Sequence, residues 1–159
     1  MDRAEILEAF DRVFDAALVF HAFTDYMRDY EMLFAVSAAP STGIPTEHLR
    51  YVFRHCVQAD IESTVERKVW RVSLDDSLID YESGVGRDGF VWGVKWQAMY
   101  PGARLADASD RASSWRNALG VPFHEAIVET NAHKLTLVFS DLEVETVDEG
   151  YAPFRVLPT

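Results

Sequence analysis

Several features are scarce or missing in this sequence of 159 residues. A single cysteine, Cys56, excludes an internal disulfide and any metal site built from several cysteines. No apolar run approaches the ~20 residues that a transmembrane helix needs, so we expect no membrane span. Basic residues are few: 15 Lys and Arg oppose 26 Asp and Glu, which gives a formal net charge of −11. Because phosphate backbones repel such a charge, we expect no binding to nucleic acid.

The composition that remains is that of a globular protein, with 48% hydrophobic and 26% charged residues. The length fits one domain. We expect a single α+β domain over residues 1–159, with its core within about residues 2–147 and a C-terminal tail at 148–159. The first residues mix acids with apolar side chains and do not resemble a signal peptide, so we expect a cytoplasmic protein.

Apolar residues recur at helical spacing in three segments. They predict helices over about residues 2–22, 64–80 and 108–119. Asp2 and Glu5 have the spacing of a capping box at the start of the first helix. Asp107 or Ser109 is a candidate cap for the third helix, whose apolar residues are Ala112, Trp115 and Leu119, and which Gly120 would end.

Alternation of apolar and polar residues predicts strands elsewhere. The predicted strands cover about residues 29–37, 49–58, 90–100, 123–130, 134–140 and 142–147. Short connections favour antiparallel neighbours, because a parallel pair needs a long crossover. We therefore expect one mixed or antiparallel sheet of five or six strands, covered on one face by about three helices.

Two motif-like stretches do not have the context that their chemistry needs. The run 84–89 has the letters GxGxxG, but it follows a predicted helix and precedes a predicted strand, the reverse of a dinucleotide site. His124 and Glu125 begin like a zinc-protease motif, yet Val128 stands where the second histidine would be. We expect no metal and no cofactor, although a site assembled from distant parts of the chain is left open.

His55 and Cys56 are adjacent. In a regular strand they point to opposite faces, so this histidine cannot activate this cysteine. A distant partner such as His124 is the alternative. We favour a buried thiol that acts as a small apolar side chain.

Charged and aromatic residues gather between the first predicted helix and the first predicted strand. Asp25 or Asp29 could hold Arg28, or Arg54 of a neighbouring strand, as a structural ion pair, or the group could line a cleft. Trp92 and Trp96 share one face of a predicted strand with Tyr100. That face is expected in the core, with an exposed partner-binding stripe as the alternative.

Four stretches of this sequence resemble the YxiG-like domain family of small bacterial proteins. They are residues 23–30, 48–56, 91–97 and 129–142. The family has no established activity, so the resemblance assigns a role to no residue. Its general type resembles small immunity proteins, which implies a toxin-neutralising role by analogy alone.

An acidic run near the C-terminus is the candidate partner-binding surface. Its members are Asp141, Glu143, Glu145, Asp148 and Glu149. Such a surface suits a basic partner such as a toxin, whereas the structural alternative is an edge strand protected by charge from aggregation. We expect a non-enzymatic interaction protein. The alternative is a small-molecule-binding domain or an enzyme, with a cleft of Asp25, Arg54 and His55 and a wall of Trp92 or Trp96.

Overall fold

The computed structural model describes residues 1–24, 26–38, 40–65, 67 and 97–153. Two helices and nine strands lie within them. The helices are α1 (Arg3–Arg12) and α2 (Asp110–Leu119), and a short 3₁₀ turn covers Pro40–Thr42. The strands are β1 (Ala17–Thr24), β2 (Asp29–Val36), β3 (Glu47–Arg54), β4 (Gln58–Ser63), β5 (Gln97–Ala98), β6 (Gly102–Leu105), β7 (His124–Glu129), β8 (His133–Phe139) and β9 (Asp141–Val147).

These strands form two antiparallel sheets rather than the single sheet that we expected. The order is β5-β1-β2-β3-β9 in the five-stranded sheet and β4-β8-β7-β6 in the four-stranded sheet. Both sheets contribute to one hydrophobic core, in which the rings of Phe53 and Phe139 meet edge to face at 4.9 Å. The described part of the chain is therefore mostly β, and the predicted α+β class with three helices holds only roughly.

A two-stranded ribbon passes from one sheet into the other. Residues 47–63 run antiparallel to residues 133–147, first as β3 with β9 and then as β4 with β8. The ribbon bends at His55, whose φ of 48° lies in the left-handed region. Backbone bonds from Ser140 to Arg54 (2.9 Å) and from Val57 to Val138 (2.8 Å) continue the pairing through this corner. The predicted strand over 49–58 is therefore two strands, and its first half buries Leu49, Tyr51 and Phe53 as the alternation indicates.

The first helix has the predicted capping box but ends ten residues early. Asp2 accepts the amides of Ala4 and Glu5, and the Glu5 side chain accepts the amide of Asp2. From Ala17 the chain is a strand, so the prediction of helix up to residue 22 is wrong. Leu18 pairs with Phe34 and His21 with Met32, because a bulge at Val19 shifts the register. The bulge therefore directs Leu18 and His21, which are three residues apart, to the same face of the sheet. Apolar residues in a helix have the same spacing, which explains the wrong prediction.

The last predicted helix is confirmed as α2. Ser109 caps it by accepting the Ala112 amide, and Gly120 ends it with a φ of 72°. Its predicted apolar stripe is only partly correct: Ala112 is buried, whereas Trp115 and Leu119 are 38% and 56% exposed. Strands β7 and β8 also match their predicted positions, and β9 matches in sequence but joins the other sheet.

Some predictions concern residues that the structure does not describe. They include most of the helix predicted over 64–80, the glycine-containing turn at 84–89, Asp25, Trp92, Trp96 and residues 154–159. Of the strand predicted over 90–100, residues 97–100 are described, and only Gln97–Ala98 form a strand, β5, which pairs with β1. Tyr100 was expected in the core, but it is 61% exposed. Neither α1 nor α2 has the length and apolar character of a transmembrane helix.

Candidate functional site

The acidic run lies on and just beyond an edge strand. Among the described strands, β9 pairs only with β3. Its Leu142 and Val144 pack on the core, so Glu143 and Glu145 alternate onto the outer face, where each side chain is about half exposed. We call the five residues Asp141, Glu143, Glu145, Asp148 and Glu149 the acidic strip.

Part of the charge of the acidic strip is paired. Arg54 donates to Glu143 at 2.7 Å and Arg50 donates to Glu145 at 2.5 Å, both from the neighbouring strand β3. Asp141 pairs with the amino group of Met1. Asp148 and Glu149 are exposed, and neither forms an ion pair with the described residues. The strip therefore keeps a negative surface while its centre is held in place by two arginines.

Arg28, Asp29, Arg54 and His55, four of the predicted cleft residues, come together at one end of β2. Asp29 is 1% exposed and accepts from the Arg54 guanidinium at 2.6 Å and from the His55 amide at 2.8 Å. The Arg28 guanidinium lies 3.8 Å from Asp29. Burial raises the pKa of Asp29, but the hydrogen bonds from His55 and Arg54 outweigh it, and the pKa lies below its usual range. This arrangement fixes the left-handed turn at His55.

A second ion-pair group, which the sequence analysis missed, lies beside the first. Arg50 bridges the buried Glu31 at 3.0 Å and the exposed Glu145 at 2.5 Å, and the ring of Tyr151 lies 5.6 Å from its guanidinium carbon. Strand alternation in the sequence could have indicated this group. It places Glu31 on the same face of β2 as Asp29, and Arg50 on the same face of β3 as Arg54. The chain after β9 is thereby folded back onto the outer face of the sheet.

The His55–Cys56 pair has no nucleophilic arrangement. Cys56 is 4% exposed, and its thiol donates to the Gln58 carbonyl. Burial raises its pKa to about 12. The His55 ring instead meets the Ser140 hydroxyl at 2.7 Å. Since the thiolate is the reactive species, the geometry agrees with a buried structural cysteine.

Another polar group lies between the sheets and contains His21 and His133. His21 Nδ1 is 2.7 Å from the Tyr30 hydroxyl, and His133 Nδ1 is 3.0 Å from Gln97 Oε1. Burial lowers the pKa of both histidines. Among the described residues, no three His, Cys, Asp or Glu side chains are grouped as metal ligands.

A groove of about 920 Å³ crosses one end of the five-stranded sheet. Its floor consists mainly of small side chains, including Ala17 and Ala35. Among the described residues that line it, four are carboxylates and none is Lys or Arg. These carboxylates are Asp15, Glu47, Asp148 and Glu149. The groove thus includes two members of the acidic strip.

The sequence predicts the acidic strip but not the groove. The strip is a run of acidic residues along and just beyond one strand, so its charges reveal it in the sequence. The groove depends on the register between five strands, and neither Asp15 nor Glu47 stands in a run of acids.

Comparison with known proteins identifies the family but no activity. A crystal structure of an uncharacterized protein from Neisseria gonorrhoeae matches with a TM-score of 0.42 and 10% identity, over 83% of this chain and 91% of that chain. No curated protein matches the sequence. The family model described as "YxiG-like protein" matches residues 2–157, and the chain therefore belongs to the YxiG-like family.

Proposed function

We propose that this protein is a non-enzymatic interaction domain that binds a basic protein partner through the acidic strip and the adjoining groove. The observation that carries the proposal is the groove at the end of the sheet, whose described lining residues include four carboxylates and neither Lys nor Arg. Asp148 and Glu149 belong to both features, so strip and groove form one continuous acidic surface.

The charge of the chain supports association with a basic surface. A net charge of −11 attracts a cationic partner at long range and accelerates its encounter at low salt. The edge position of β9 adds a second means of contact, because one side of the strand has no neighbour among the described strands. A basic toxin is the partner class that we favour, which would make this protein an immunity-type inhibitor acting by occlusion.

The cleft alternative has less support. Of its residues, Asp29 is buried, and Arg54 is engaged by both Asp29 and Glu143. A guanidinium that already holds two carboxylates has little capacity left for an anionic substrate. Three other cleft residues, Asp25, Trp92 and Trp96, lie outside the described part of the chain.

A charge-matched pair of variants tests the proposal. The strip variant carries Glu143→Gln, Glu145→Gln and Asp148→Asn. The control variant carries Glu8→Gln, Asp11→Asn and Glu62→Gln, which remove three exposed charges from α1 and β4. Both variants lose the same net charge, so a difference between them reports position rather than total charge.

The measurement is affinity capture from the source cells, followed by titration of the purified partner. We expect the wild type and the control variant to recover one stoichiometric basic protein and to lose it at high salt. For the strip variant we expect a Kd about tenfold higher, which corresponds to about 1.4 kcal/mol. If the strip variant binds as tightly as the control, the proposal is wrong. If the partner is a toxin, its activity should fall to zero at one equivalent of this protein.

A further inference from the structure

The floor of the groove is a single row of residues that are direct partners across five strands. Ala98 pairs with Ala17, Ala17 with Ala35, Ala35 with His48, and His48 with Val147. Three neighbouring strands, β5, β1 and β2, therefore present alanine at the same level. Because alanine has only a methyl group, the surface of the sheet is lower along this row than on either side of it. The groove that results runs perpendicular to the strands.

The row has a definite length. Five strands are separated by four gaps of ~4.8 Å, so the row spans roughly 19 Å. An extended peptide advances ~3.3 Å per residue, so six steps, which join about seven residues, cover that distance. The groove is thus long enough for a short extended segment of a protein.

The carboxylates lie towards the two ends of this row. Asp15 comes two residues before Ala17, near the β5 end, and its amide donates to the Met99 carbonyl at 2.9 Å. Asp148 and Glu149 follow Val147 at the β9 end. Both ends are exposed and acidic, while the floor between them consists of three alanines, His48 and Val147.

One carboxylate of the groove is already neutralised. Glu47 accepts from Arg12 at 2.6 Å and from the Thr146 hydroxyl at 3.2 Å. The acids at the two ends form no ion pair with described residues, so the negative charge that is available to a ligand is divided between the ends. A ligand that matches the groove has two cations about 19 Å apart and a slim, uncharged centre.

We propose that the groove binds an extended segment of about seven residues from a partner protein, with one basic side chain near each end and small residues between them. This inference rests on the proposed function and names the part of the partner that is recognised. Gly, Ala or Ser fits over the alanine floor, and Lys or Arg reaches the end carboxylates. The spacing of the two basic residues, rather than their number, determines the affinity.

Two labelled peptides of identical composition test the spacing. The first is Arg-Gly-Ala-Gly-Ala-Gly-Arg and the second is Arg-Arg-Gly-Ala-Gly-Ala-Gly, both with capped termini. We expect the first peptide to bind at least fivefold more tightly in fluorescence anisotropy at low salt. In methyl NMR of the wild type, it should shift the signals of Ala17, Ala35 and Ala98 but not that of the buried Ala112. Equal affinity for the two peptides, or for spermine, overturns the inference.

A variant with intact charges tests the floor. Ala35→Leu should raise the Kd of the first peptide at least tenfold because its side chain fills the groove. Ala118→Leu, at an exposed position of α2, is the matched control and should leave the Kd unchanged. The methyl shifts of the wild type remain decisive if the Ala35 variant folds poorly.

The captured partner separates the two proposals. If the strip variant weakens binding of the partner and Ala35→Leu does not, the groove inference fails and the proposed function stands with the acidic strip alone as the binding surface. If the first peptide binds on the alanine row while the strip variant holds the partner as tightly as the control, the proposed function fails and the groove inference stands.

Discussion

Asp29 is the residue whose replacement tests the description of this site most directly. Its carboxylate is 1% exposed, accepts from the Arg54 guanidinium at 2.6 Å and accepts from the His55 amide at 2.8 Å. The second contact holds the left-handed turn at which the chain leaves one sheet for the other. Asp29→Ala removes both contacts, whereas Asp29→Asn can keep an oxygen for the amide.

The expected loss in the free energy of unfolding can be estimated from these contacts. Removing one partner of a fully buried ion pair costs about 3–5 kcal/mol. Arg54 is only partly buried and keeps Glu143, so its share of that cost is smaller. A hydrogen bond to a charged group contributes about 1.5–3 kcal/mol, and the His55 amide loses one. We expect Asp29→Ala to lower the free energy of unfolding by about 3 kcal/mol and Asp29→Asn by about half as much.

Urea denaturation at pH 7, followed by circular dichroism, measures these changes. Glu143→Gln is the matched control, because it removes the half-exposed partner of the same arginine and should cost at most about 1 kcal/mol. A control that costs as much as Asp29→Ala would refute the idea that burial makes the difference. The pH dependence is a second check: since the folded pKa of Asp29 lies below its usual value of 3.8, its contribution is complete above that pH. The gap between wild type and Asp29→Ala should close as the pH falls further.

Three more outcomes concern the turns and the core. Gly102 has a φ of 106°, and an added Cβ would lie 3.3 Å from the Phe14 ring, so Gly102→Ala should cost about 2–3 kcal/mol in urea denaturation. Gly43→Ala, at a φ of 66° in open space, should cost about 1 kcal/mol, and equal losses would contradict the steric argument. Cys56 should resist a thiol reagent at pH 8 in the native protein and react fully in urea; rapid native labelling would show that it is accessible. Burial lowers the folded pKa of His21, so its contribution is complete above pH 6.5 and decreases as the pH falls towards the folded pKa. His21→Gln should therefore reduce the slope of stability between pH 7.5 and 5, and an unchanged slope would exclude His21 as its cause.

Local signals predicted the elements that depend on neighbouring residues. The capping box at Asp2, the Ser109 cap and the stop at Gly120 need only a few adjacent positions, and the structure has all three. The alternation around Tyr51 likewise predicted a buried strand face correctly. In these cases the local preference and the tertiary fold agree.

The errors arose where distant contacts decide the structure. A bulge at Val19 gave β1 the spacing of a helix, and a left-handed residue at His55 divided one predicted strand between two sheets. A histidine at position 55 does not by itself predict a left-handed conformation. The conformation is held by Asp29 of another strand, which accepts the His55 amide. The alanine row could not be predicted for the same reason. It depends on the register between strands, which no single segment of the sequence reveals.

The bent ribbon has a mechanical consequence for the acidic strip. An isolated edge strand can detach alone, with little cost to the rest of a domain. Here β9 continues through Ser140 into β8, and β3 continues through His55 into β4, so each strand of the edge pair is covalently joined to a strand of the other sheet. A load applied to the strip by a tightly held partner is therefore shared by both sheets and resisted by the common core. The surface that we assign to recognition is anchored like an interior element of the fold.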